Sequence, residues 1–418
     1  MAVTGIIFSN IHDNNIPELT RLRTIASVPF GCRYRFIDFT LSNMVNANIF
    51  NIDVITQSNY QSLMDHLGSG KDWDLARRSG GIKILPPNIM AGDTARQTSY
   101  TTRLEALKSV YNSISKIKDE YVVMSDCDVI CNINFKAIIE DHIKNKADIT
   151  MAVKTMTLTE GQAAANVLFA SDENGRITDV LPYPKNFTGE ADVALNIVVM
   201  RTDYLLHMVQ DAIAHDYNSM TRDFINRYKD TKNFRVYKYD GYFACVSSLA
   251  DYFRCSMEQI TDDNARKSLF DVPNRPVYTK VRNSTPTYYS ETSNVKNSMI
   301  ADGCVIEGTV ENSILFRGVK IADTVFRSKS YGNSAHLFFH AGNIVCSIAV
   351  FNRNASAAAV QFPQIRKRNR NILDGKVPKV VEINHSAAKP QIGGARIPQC
   401  SGKFNIDTAD PGIQITVC

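Results

Sequence analysis

Apolar and polar positions change period repeatedly along the first two thirds of the chain. Val3 to Ser9 is a continuous β-rich apolar run, the pattern of a strand buried on both faces. Phe36 to Val45 has helical apolar spacing, Asn51 to Thr56 reads as a second strand, and Tyr60 to Leu67 as a short helix. From Arg103 to Ile117, Leu104, Leu107, Val110, Tyr111, Ile114 and Ile117 share one helical face. Tyr121 to Met124 is an apolar strand, Phe135 to Lys144 is helical, and Ile149 to Val153 is again a strand. Such alternation predicts an α/β domain with a mostly parallel, Rossmann-like sheet covered by helices. Ligands of such sheets lie outside the C-terminal strand ends. Asp126 follows the strand 121–124 directly, so it is a candidate ligand-facing carboxylate; that it or Asp128 merely caps the next loop fits its position equally well.

Asp172-Glu173-Asn174-Gly175 lies between two apolar segments and predicts a hairpin, with Gly175 at the positive-φ position. Near Pro273 the composition turns to Pro, Thr, Asn and Tyr. The expected division is a first domain over 1–272, a linker over 273–294, a repeat segment over 295–325 and an atypical tail over 326–418. In the repeat segment Ile300, Ile306, Val310, Ile314, Val319 and Ile321 recur among Gly303, Gly308 and Gly318. That rhythm suits the hexapeptide repeats of a short left-handed parallel β-helix, or a β-meander with glycine turns. In the first case a stack of few turns has an open end that suits a neighbouring subunit, with Leu315 and Phe316 on its rim. Beyond Val325 the rhythm stops and no element is predicted.

Composition narrows the function classes. The chain has 418 residues, 44% hydrophobic and 21% charged, with a net charge of +5. That is an ordinary globular balance, and it gives no argument for nucleic acid or membrane as a partner. The basic run Arg366–Arg370 has no interleaved aromatics and reads as solvated. Nine cysteines without a CxxC pair suggest reduced thiols in a cytoplasmic protein. The N-terminus lacks a signal-peptide pattern, and Leu337 to Phe351 is too short and polar to span a bilayer.

Three stretches carry a resemblance. Val28-Pro29-Phe30-Gly31, Arg35, Ile37-Asp38-Phe39 and Leu41-Ser42-Asn43 match a signature of sugar-nucleotide pyrophosphorylases. Tyr121 to Asp128 matches their strand that delivers a metal-binding Asp, and Cys304 to Ile321 matches their β-helix. Over residues 1 to about 325 the chain resembles the ADP-glucose pyrophosphorylase (glucose-1-phosphate adenylyltransferase) family of bacterial glycogen synthesis. The resemblance implies a nucleotidyltransferase domain followed by a left-handed β-helix. The implied reaction joins ATP and glucose 1-phosphate to give ADP-glucose and pyrophosphate, with Mg²⁺ neutralising charge.

Against that family the chain departs at four places. Its phosphate loop, Ser9 to Thr20, contains no Gly and no Arg, so side chains would crowd a triphosphate and Asp13 would repel it. Cys245 stands where the second metal carboxylate is expected, and a thiol is a poor Mg²⁺ ligand. Thr102-Arg103-Leu104-Glu105-Ala106 replaces a glycine-containing nucleotide segment, and Leu181 to Lys185 lacks the Glu of the sugar-phosphate signature. The pattern resembles the family's D-type, non-catalytic regulatory branch. It implies that this chain requires no cofactor, that Mg²⁺ belongs to a catalytic homologous partner, and that a sugar phosphate is a possible effector. Candidate ligand-binding residues are Arg33, Arg35, Asp126 and Lys185; Asp126 is the remaining candidate metal ligand, in a role expected to be structural or ligand-tuning. The alternatives are an active adenylyltransferase and a free-standing sugar-phosphate sensor.

Overall fold

The computed structural model describes residues 2–86 and 100–321, and the backbone of Ala335–Ala341, Ile344–Asn352, Lys403–Phe404 and Ile413–Val417. The basic run Arg366–Arg370 and most of the tail 326–418 lie outside the described residues. The chain divides into two units, Met1–Phe30 with Tyr34–Arg282, and Gly31–Arg33 with Asn283–Cys418. Among the described residues no helix is long and apolar enough to cross a membrane.

The first unit is built on β1 (Val3–Phe8), β2 (Asn51–Ile55), β3 (Gly81–Leu85), β4 (Tyr121–Asp126), β6 (Ile149–Leu158), β7 (Val167–Ser171), β8 (Ile177–Pro182), β9 (Gly189–Arg201) and β10 (Phe234–Lys238). Between them, β5 (Val129–Cys131) pairs separately with β11 (Phe243–Cys245). The main sheet runs β8-β7-β9-β4-β1-β2-β3, with β6 beside β9 and β10 beside β6. The expected parallel arrangement holds for β3-β2-β1-β4 and for β10 on β6. The remaining pairs are antiparallel because the predicted hairpin, with Gly175 at φ 79, folds β8 onto β7, and β9 then returns through the sheet.

Both sheet faces are covered. Ile6, Phe8, Val122 and Met124 pack on one side with α3 (Arg103–Ser109) and α5 (Thr202–Ala214), while Ile7 and Val123 pack on the other with α1 (Phe36–Asn46) and α4 (Phe135–Lys144). This explains why the central strands read as unbroken apolar runs. The helix expected over Arg103 to Ile117 is two pieces, α3 and Tyr111–Ile114, parted at Val110, which has φ −112 and ψ 16. The apolar face continues across the break, with Leu104, Leu107, Val110 and Ile114 all buried; tertiary burial preserved the spacing while the backbone hydrogen bonding was interrupted.

The Val28 to Asn43 signature is scaffold. Asp38 Oδ2 accepts from the Arg35 amide at 2.9 Å, closing the start of α1, and Asp38 Oδ1 lies 2.6 Å from His66 Nε2 on α2 (Gln61–Leu67). Ser42 Oγ accepts from the Tyr278 amide at 2.8 Å, and Asn43 Nδ2 donates to the Cys131 carbonyl at 2.9 Å. The helix is thus tied to the β5 strand and to the segment that ends the first unit.

In the second unit, short strands stack in parallel at a fixed offset of 15 positions: Asn294 pairs with Thr309, Met299 with Ile314, and Val305 with Lys320. The ladders begin with Tyr288–Tyr289 on Val305–Ile306, inside the stretch expected as linker, since extended Pro/Thr-rich chain readily adds an edge strand. Cys304, Ile306, Val310, Leu315, Val319 and Ile321 form the interior stack. Of the two residues expected on the rim, Leu315 belongs to this stack and Phe316 is buried, 5% exposed. Gly303 and Gly318 turn the corners at φ 76 and 74. Beyond the repeats, Ala335–Ala341 adds a further parallel strand to Ser313–Leu315.

Candidate functional site

The adjacent parallel strands β1 and β4 end together, with Phe8 opposite Asp126. The loop that follows β1 is closed on itself by side chains. Asn10 Oδ1 accepts from Ser9 Oγ at 2.9 Å, Thr56 Oγ1 at 2.8 Å and the Gln57 amide at 2.9 Å. Its Nδ2 donates to Asp13 and to the Ser58 carbonyl, and Asp13 Oδ1 accepts from the Ile25 amide at 2.7 Å. Burial pushes the Asp13 carboxyl up to about 6 despite those hydrogen bonds. A phosphate cradle requires open backbone N–H groups; here the loop is filled by its own polar side chains.

Asp126 is fully buried and carries two internal partners. Arg103, which opens α3, grips both carboxylate oxygens, with Nε to Oδ1 at 2.9 Å, and His12 Nε2 lies 2.7 Å from Oδ2. Burial alone would raise the Asp126 carboxyl, but Arg103 and His12 outweigh it and hold it below the usual carboxylate range. Next to it, Asp128 is also buried, and its Oδ1 has no partner among the described residues. Burial first, and then the charge of Asp126, push the Asp128 carboxyl up. Cys245 on β11 lies with Sγ 3.6 Å from Asp128 Oδ2, and burial followed by that carboxylate raises its thiol far above ordinary values. Two neighbouring buried carboxyls are therefore pushed in opposite directions, Asp126 down by its two partners and Asp128 up by burial.

His12, Asp126 and Asp128 place ligand atoms within 4.8 Å of one another, a spacing compatible with a metal ion. Mg²⁺ does not fit them. It demands several hard oxygen donors in octahedral array, whereas both Asp126 oxygens are engaged by Arg103 and His12, which leaves Asp128 as the one carboxyl not so engaged, beside an imidazole and a protonated thiol.

Burial lowers the His12 imidazole, but Asp128 and Asp126 together hold it above its usual value. A raised folded pKa gives a stabilisation that is complete below about pH 6.5 and disappears as pH rises through the folded value. The stability lost on His12→Asn is therefore expected to be larger at about pH 6 than at about pH 9, read by paired urea titrations. A loss that grows with pH would mean that His12 is neutral in the fold.

The other expected ligand residues are not gathered here. Arg35 Nη1 donates to the carbonyl and hydroxyl of Ser62, at 2.6 and 3.0 Å, so it braces α2. Arg33 is exposed and falls in the second unit, and Lys185 is exposed in the connection from β8 to β9. The roles of His12 and Arg103 were missed in the sequence, although both were visible as basic residues in the segments where the family has its glycines.

Comparison with known proteins gives this geometry its context. The nucleotidyl transferase family profile matches residues 16–249. The glycogen biosynthesis protein GlgD of Geobacillus stearothermophilus is 36% identical over 318 residues, covering 76% of this chain and 80% of that protein. GlgD of Bacillus subtilis is 31% identical over 317 residues, with the same two coverages. The glucose-1-phosphate adenylyltransferase of Clostridium acetobutylicum is 29% identical over 330 residues, covering 77% and 84%. With more than half its length matched and GlgD proteins and adenylyltransferases alike among its relatives, this chain belongs to the nucleotidyl transferase family, in its ADP-glucose pyrophosphorylase branch.

Proposed function

We propose that this chain is a non-catalytic regulatory subunit of glycogen biosynthesis, assembled with a catalytic homologue that converts ATP and glucose 1-phosphate to ADP-glucose and pyrophosphate. One observation carries the reading: Asp126, the carboxylate at the end of the central strand, is neutralised by the chain's own Arg103 and His12. Phosphoryl chemistry depends on metal charge at the reacting phosphates, and here a fixed internal cation occupies the carboxylate that would bring it. The self-bonded loop after β1 and the thiol at Cys245 support the same conclusion. So does the similarity to GlgD proteins, which are named for glycogen biosynthesis.

In this reading the chain requires no cofactor, Mg²⁺ works in the partner, and a sugar phosphate is the effector. The ladders offset by 15 positions form a left-handed parallel β-helix that contributes to assembly. Coexpression with a catalytic homologue tests it. The two chains are expected to co-purify, and only the assembled protein should release pyrophosphate from ATP and glucose 1-phosphate. Turnover of about 1 s⁻¹ or more by the isolated chain, or failure to co-purify, would overturn it.

A further inference from the structure

Asp128 is the least satisfied group beside Asp126. Its side chain is 2% exposed, its Oδ1 has no partner among the described residues, and its Oδ2 stands 3.6 Å from His12 Nε2 and 3.6 Å from Cys245 Sγ. The imidazole is too far away for a hydrogen bond, and a thiol is a weak donor. A buried carboxyl left in this way is unfavourable, and native folds rarely keep one without a reason. The backbone fixes the arrangement: Cys245 lies opposite Val129 in the β5–β11 ladder, and the Val246 amide donates to the Asp128 carbonyl at 3.1 Å.

Arg103 takes both oxygens of Asp126. The donors left around Asp128 are therefore one imidazole nitrogen, one carboxylate and one thiol. Mg²⁺ avoids such a mixed set, whereas Zn²⁺ and Co²⁺ take imidazole and thiolate readily. Donors bound at about 2.0–2.3 Å in a tetrahedron stand about 3.3–3.6 Å apart, and the two edges that meet at Asp128 Oδ2 are both 3.6 Å. The His12 side chain is 20% exposed and Cys245 is half-buried, which gives an ion a way in.

We propose that His12 Nε2, Asp128 and Cys245 Sγ bind a borderline divalent cation of the Zn²⁺ class, with water at the fourth position. Loading exchanges the His12 contact with Asp126 for the metal and turns the Cys245 side chain toward it. The thiol proton leaves to solvent as the metal–sulfur bond forms. The ion clips together the loop after β1, the turn between β4 and β5, and β11. This inference goes beyond the subunit reading and stands without it, because binding is measured on the chain alone.

The test is titration of the metal-stripped full chain with Co²⁺, Zn²⁺ and Mg²⁺. One equivalent of Co²⁺ is expected to give sulfur-to-cobalt charge-transfer absorption in the near ultraviolet. Zn²⁺ should abolish it by displacement, and Mg²⁺ in about a thousandfold excess should not. Cys245→Ser, a change of one atom, is expected to remove the absorption and to weaken Zn²⁺ at least about tenfold. His12→Gln should keep the absorption and weaken Zn²⁺ by a similar factor. No absorption with the parent chain, absorption that persists in Cys245→Ser, or Zn²⁺ affinity unchanged in His12→Gln would overturn the site. Displacement of Co²⁺ by Mg²⁺ would overturn its selectivity.

Discussion

Arg103→Leu is expected to destabilise the chain by about 3–5 kcal/mol, because it leaves Asp126 charged and buried with only His12 beside it. The side chain of Arg103 is 14% exposed and that of Asp126 is 0% exposed, so water cannot take the place of the lost guanidinium. The penalty belongs to the abandoned carboxylate more than to the pair itself. Removing both charges with Arg103→Leu and Asp126→Leu should therefore recover most of the loss, since buried ion pairs are commonly replaceable by apolar residues at little net cost. Urea unfolding of the two single variants and the double variant at neutral pH measures the coupling. A loss below about 1 kcal/mol for Arg103→Leu would place the pair in the class of exposed bridges and remove the central support for an internally neutralised site.

That pair also marks where sequence reasoning stopped. The central strands were legible because burial on both faces makes them plain apolar runs, as in Ile6-Ile7-Phe8 and Val122-Val123-Met124. Phe135–Lys144 was legible as a helix from its residue pattern, and the structure adds the N-cap Asn134. The antiparallel return of β9 was not, since it depends on long-range pairing with β4 and β6 that no local period encodes. Likewise, the absence of glycine between Ser9 and Pro17 could be read as damage to a phosphate loop, but not as a network centred on Asn10. His12 and Asp126 are 114 positions apart, and Arg103 and Asp126 are 23 apart. Only the fold brings them together, so no local reading of the sequence shows that Asp126 has an internal countercharge.

Placing a carboxylate at Cys245, where the family resemblance expects one, is therefore not expected to produce adenylyl transfer. Cys245→Asp would set a third carboxyl where Cys245 Sγ now lies 3.6 Å from Asp128 Oδ2, in a buried site that already pushes the Asp128 carboxyl up. With Arg103 still on Asp126, no new cation site forms, and the added carboxyl must either take a proton or repel its neighbours. The isolated Cys245→Asp chain is expected to lose stability and to show no pyrophosphate release. Combining it with Arg103→Ala frees Asp126 Oδ1, with His12 still on Oδ2, beside Asp128 and the new carboxylate, a set of hard oxygen donors of the kind that Mg²⁺ and Mn²⁺ prefer. The double variant should gain thermal stability on addition of either ion, by the linkage of binding to folding, whereas the parent chain should not respond. Adenylyl transfer should still be absent, because the loop after β1 keeps Asn10 and Asp13 bonded across the space where a triphosphate would need open amides. Turnover by the Cys245→Asp chain alone would show that the Arg103 contact yields to metal. Turnover by the double variant would show that the loop, and not the carboxylate site, had been misread.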